Sequence, residues 1–166
     1  MSGFARNIST GLFAAALLLG GLAHAGNPPV ATDDAGLALK GYDTVAYFSD
    51  GQPQPGSPAF SHQWMGATWL FTSAAHRDTF AADPERYAPQ FGGYCAFAVS
   101  MDHVQKSDPT VWSIVDDKLY LNLGPGAQAK WRADVPGNII RASSNWPGAL
   151  IDPGKRPKTP AASEDR

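Results

Sequence analysis

The sequence predicts an α+β domain in which a small antiparallel sheet, made of hairpins, packs with several short helices. Three observations carry this expectation. Two stretches alternate around a tight turn and read as β-hairpins: FSHQW followed by ATWLF (60–71), and VWSIVDDKLYLNL (111–123). Short helical stretches, bounded by Ser/Thr caps, prolines and a Gly-Gly pair, lie between and after them. The two kinds of segment do not alternate as strand–helix–strand units, which points away from a parallel sheet.

The chain opens with MSGFARNISTGLFAAALLLGGLAHA. A polar start with the single Arg6, an apolar run over 12–22 and the small-residue pattern Ala23-His24-Ala25 predict a secretory signal peptide cut after Ala25, hence a periplasmic or secreted protein. The apolar run falls short of the roughly 20 residues a spanning helix needs. With no twin-arginine pair and no cysteine near the cut, the expected route is general secretion. One of the 13 basic residues and none of the 15 acidic ones lie in this stretch, so the remainder carries a net charge of −3. A mildly acidic chain without a basic stripe argues against nucleic acid as a partner. A single cysteine, Cys95, rules out an internal disulfide, so the fold must rest on packing, for which the many aromatic residues are suited.

After the cut, GNPPVATDDAG (26–36) reads as a flexible leader, and the ordered domain is expected over 37–150. DTVAYF (43–48) reads as a short strand, with Asp43 bonding backbone N–H groups at its start. DGQPQPGSP (50–58) is turn-rich. In the first hairpin Phe60, His62 and Trp64 share one face. Thr72-Ser73 then cap a helix over SAAHRDTFAAD that stops at Pro84 and sets His76 and Phe80 on one side. PERYAPQF (84–91) reads as a second short helix with proline in its first turn, broken by Gly92-Gly93. YCAFAVSM (94–101) fits a helix start or a buried strand. The second hairpin turns at Asp116-Asp117 or Asp117-Lys118, and helices follow over 125–134 and within 138–150. The tail DPGKRPKTPAASEDR has the composition of a disordered segment, and 151–166 is assigned to it.

KGYDTVAYF, ATWLFTSAAHRDTFAADPERYAPQFGGYCAFAV, WSIVDDKLYLNL and NWP together resemble secreted bacterial proteins of the YHS domain family, over about 39–147. The most specific part is F-x-S-x-x-x-R-x-x-F-x-x-D-P-E-x-Y followed by G-G-Y-C. The resemblance implies a compact α+β fold and a role in binding or sensing transition metals. The related metal-sensing form, often called TRASH, places three cysteine ligands where this chain has Ala46, Thr72 and His76. A three-thiolate site is therefore excluded, and a metal site must use other donors.

Those donors are few: Cys95, His76 and His62, then His103, Met101 and Met65. Copper or zinc needs two to four N or S donors converging on one point. Cys95, after two glycines at a helix start, would gain thiolate character there; as a small apolar residue it would instead be buried and inert. His76 stands on the helix after the first hairpin, and His62 on the neighbouring strand. Each also reads as an ordinary solvated residue, and His103 as part of an exposed loop. Three functions are thus expected to compete. The first is a periplasmic metal-binding module centred on Cys95, His76 and His62. The second is a module binding a small ligand or a protein through an aromatic pocket walled by Trp64, Trp69, Trp112, Trp131 or Trp146. The third is an enzyme with Cys95 as nucleophile and His62 or His76 as base.

Overall fold

Alternation and turn chemistry fold the two predicted hairpins, and the rest of the chain is arranged around them in a computed structural model that describes residues 27–148. The expected signal peptide and the expected tail lie outside the described residues. Strand β1 (Ser57–Trp64) pairs antiparallel with β2 (Ala67–Phe71), His62 opposite Trp69. Their connection, Met65-Gly66, takes positive φ at both residues (48° and 75°), the two-residue turn that suits the twist of paired strands. Strand β3 (Asp108–Val115) pairs in the same way with β4 (Lys118–Asn122), and the turn is Asp116-Asp117, with φ of 50° and 56°. The hairpins form two separate two-stranded sheets within an α+β fold.

Among the described residues six short helices complete the fold. The segment 43–48, expected as a strand, instead winds into α1 (Ala46–Ser49). Asp43 Oδ1 accepts the N–H groups of Val45 (2.9 Å) and Ala46 (3.3 Å), and this local cap outweighs the strand preference of the Val and Tyr that follow. Helix α2 (Ala74–Ala82) starts at Ser73, whose hydroxyl accepts from the His76 N–H (3.1 Å). Helix α3 (Pro84–Tyr87) is a single turn and does not run on to 91 as expected, because Ala88 precedes Pro89 and is held extended. A tight turn over Gln90–Gly93 leads to α4 (Ala96–Ser100), which settles the open reading of 94–101 in favour of a helix. Helix α5 (Pro125–Ala133) matches its expected span. Helix α6 (Val135–Asn145) begins earlier than 138 because Asp134 accepts the Gly137 N–H (3.0 Å) and proline occupies the first turn. Among the described residues no helix is long and apolar enough to cross a membrane.

The expected leader is fastened down from Val30 onward. Val30 is buried, the Ala31 N–H donates to the Gly92 carbonyl (2.8 Å), and Asp33 Oδ1 closes a turn onto the N–H groups of Ala35 and Leu37. Gly92 allows this close approach: its φ is +60°, and a Cβ there would lie 2.0 Å from the Pro29 oxygen.

Two apolar clusters form the core. In the first, Phe80 of α2 meets Trp69 (ring centroids 4.9 Å apart), Phe71 (5.2 Å) and Trp64 (5.8 Å) across the first hairpin. In the second, Trp131 of α5 packs on Tyr120 (5.2 Å). Strand β4 separates them: Leu119 and Leu121 enter the first cluster, and Tyr120 between them enters the second.

Phe80→Ala should cost about 3–5 kcal/mol, read from the urea midpoint at unchanged slope. Alkaline stability provides a second check. Burial pushes Tyr94 from 10.0 up to about 12, with its hydroxyl donating to the Pro28 carbonyl (2.9 Å). Between pH 10 and about 12 the native state keeps a proton that the unfolded chain has released. Stability should be unaffected by this group below pH 10 and should fall as pH rises towards 12, seen as a declining melting temperature.

Candidate functional site

The centre of the site is a fully buried carboxylate. Asp43 is 0% exposed, and every hydrogen bond to it comes from a donor. Besides the Val45 and Ala46 N–H groups on Oδ1, Oδ2 receives the Thr72 N–H (2.8 Å), the Thr72 hydroxyl (2.8 Å) and His76 Nδ1 (2.7 Å). Thr72 stands just past β2 and His76 in the first turn of α2, so one side chain ties together two helices and a strand end.

This arrangement sets the imidazole. With the carboxylate accepting, Nδ1 carries the hydrogen and Nε2 is left as the free acceptor. The His76 side chain is 20% exposed, and Nε2 points towards the exposed Ser49 at the end of α1, with Oγ 3.4 Å away. Ser49 Oγ also lies 3.2 Å from the Val45 carbonyl, so its hydroxyl hydrogen has two acceptors to choose between. A carboxylate, an imidazole and a hydroxyl therefore stand in line from the interior to the surface.

Cys95 has a different environment. It is 1% exposed, its sulfur accepts the Leu123 N–H (3.2 Å), and the thiol faces Asn122 Oδ1 (3.8 Å). Burial pushes the thiol up from 9.0, against the smaller opposing effect of backbone N–H groups, so of the two readings of Cys95 the buried, inert one holds and the gain in thiolate character at a helix start does not. His62 is half-buried on β1, its ring edge-on to Phe80 (5.9 Å). Phe60, His62 and Trp64 do lie on the more buried face of that strand. His103, Met101 and Met65 are exposed.

Among the described residues no group of three or more His, Cys, Asp or Glu side chains is placed to hold a metal ion. Cys95, His76 and His62 thus do not form one centre, and a copper or zinc site made from those three does not fit. The positions where the resemblance implies cysteines do converge. Ala46, Thr72 and His76 all donate to Asp43, and of these only His76 brings a nitrogen or sulfur donor. The expected aromatic wall is divided: Trp64, Trp69 and Trp146 line one cleft, Trp112 borders another, and Trp131 is buried.

Sequence reasoning found Asp43 as a backbone anchor and His76 as a candidate. It missed Thr72 as a partner of the carboxylate and Ser49 altogether; the one available signal was the capping pattern T-S-x-x-H, which fixes His76 in a first turn.

The buried, protonated thiol has a measurable consequence. At pH 7 iodoacetamide should label Cys95 in native protein at least about tenfold more slowly than in urea-unfolded protein, followed by intact mass. Comparison with family models, with curated proteins and with solved structures finds no match for this chain.

Proposed function

We propose that the protein is an exported domain of YHS type that hydrolyses small activated esters, with Ser49 as nucleophile, His76 as general base and Asp43 as the group that orients and charge-stabilises the imidazole. One observation carries the reading: the continuous line from Asp43 Oδ2 to His76 Nδ1 (2.7 Å) and from Nε2 to Ser49 Oγ (3.4 Å). Export and family type rest on the first 25 residues and on the motifs quoted above. The second distance is slightly long for a hydrogen bond, as catalytic contacts commonly are without substrate.

As Ser49 Oγ attacks the acyl carbon, its proton passes to His76 Nε2, and the buried carboxylate stabilises the imidazolium. The imidazolium then protonates the departing alkoxide as the C–O bond breaks, leaving an acyl-serine. Water, deprotonated by the same Nε2, attacks the acyl-serine; the acid leaves and Ser49 recovers its proton. Ser49 is exposed, so small esters with good leaving groups are the substrates its surroundings can serve.

A fluorophosphonate probe, read by peptide mass, tests this. Wild-type protein should be modified at Ser49, whereas His76→Ala should react at least about 100-fold more slowly and Ser49→Ala not at all. Hydrolysis of p-nitrophenyl acetate should follow the same order. Wild-type labelling no faster than that of unfolded protein would overturn the proposal.

A second reading keeps the transition metal, copper or zinc, with His76 as the one donor this chain supplies and the remaining donors coming from water or a second molecule. It is favoured by the same Nδ1–H bond to a carboxylate, the way proteins commonly orient metal-binding imidazoles. The two readings separate cleanly. Zn(II) or Cu(II) titration should be lost in His76→Ala and kept in Ser49→Ala if the metal reading holds.

A further inference from the structure

On another part of the surface, a cleft of about 290 Å3 opens between the fastened N-terminal segment, the turn at Leu39–Gly41 and the loop entering β3. Its apolar floor includes Leu39 and Pro109, both buried. Its lining also carries two pairs of opposite charge: Asp33 with Asp34, and Lys40 with Lys106. Among the described residues none of the four is held in an ion pair. Asp33 uses only Oδ1 for its turn, which leaves Oδ2 free to bind. Lys40 lowers the carboxyl of Asp108 beyond the lining through its charge, a lesser influence there than the bonds from Thr110.

The backbone is unusual at this wall. Leu39 and Lys40 both take left-handed φ, 49° and 52°, a conformation rare for residues other than Gly, Asn and Asp. Gly41 follows at 81°. Consecutive residues of this kind turn Leu39 into the floor and leave Lys40 exposed on the rim. Backbone held in this way concentrates at ligand sites.

We propose that this cleft binds a free α-amino acid with an apolar side chain. Its carboxylate lies between the ammonium groups of Lys40 and Lys106, its ammonium against Asp33 and Asp34, and its side chain on Leu39 and Pro109. The paired charges supply the selectivity. A plain anion meets two carboxylates and a plain cation meets two ammoniums, whereas a zwitterion satisfies both. The volume, at the small end of the ligand-pocket range of about 300–1,000 Å3, limits the ligand to roughly one residue. None of these side chains belongs to the Asp43–His76–Ser49 line, so the proposal stands apart from the hydrolytic reading.

The test uses the mature chain, with backbone amide resonances followed during titration with L-leucine, N-acetyl-L-leucine and L-leucinamide. L-leucine should produce saturable shifts confined to residues 31–34, 39–41 and 106–109. The acetylated and amidated forms, each lacking one charge, should bind at least tenfold more weakly. Lys40→Ala/Lys106→Ala, at exposed positions, should keep the wild-type spectrum elsewhere and lose at least tenfold in L-leucine affinity. The proposal is overturned by an absence of saturable shifts with L-leucine and L-phenylalanine alike, by equal binding of the three leucine forms, or by unchanged affinity in the double variant.

Discussion

The carboxylate of Asp43 is the constraint on which the rest depends. A buried anionic group without partners is among the costliest features a fold can hold, and here five donors from three elements meet it. Two of those donors start α1, two fix the end of β2, and the last sets the rotation of an imidazole. Local structure and candidate chemistry therefore share one anchor, and His76 cannot turn away without leaving a buried acceptor short of a partner.

The aromatic packing explains why that anchor sits where it does. Phe80 lies four residues after His76 on α2, and its contacts with Trp69 and Phe71 hold the helix against the first hairpin. The chain leaves β2 at Phe71, so Thr72 and the first turn of α2 arrive beside Asp43 as a consequence of that docking. Tyr87 closes the far side: the Thr44 hydroxyl donates to its carbonyl, and its ring meets Phe48 edge-on. Neighbours on both sides of Asp43 are thereby pinned, and α1 carries Ser49 to within reach of the imidazole.

What the sequence announced were features written in neighbouring residues. The alternation in ATWLF and VWSIV, the Met65-Gly66 turn, a second turn at Asp116-Asp117 or one residue on, and the Ser73 cap each act within a few positions, and each appears in the fold, the second turn at Asp116-Asp117. What it concealed depended on distant partners. DTVAYF has the composition of a strand, and only the acceptor at Asp43 makes it a helical turn. The leader reads as loose until Gly92 offers a place with no side chain for it to lie against. Cys95 reads either as activated by its glycines or as buried and inert, and only pairing beside Leu121, far along the chain, decides for the second. Ser49 is an unremarked serine before a turn, 27 positions from His76 in the chain, and no short-range pattern could have joined them.

Strand β4 carries a last implication. Its side chains serve the two clusters in strict alternation, Leu119 and Leu121 to one and Tyr120 to the other. A strand spoken for on both surfaces has no spare side, and a slip of its pairing with β3 by one residue would exchange the occupants of both interiors at once. The halves of the molecule consequently share a single fate: loosening either one strips the common wall from its neighbour, so order is kept or lost cooperatively, as one body.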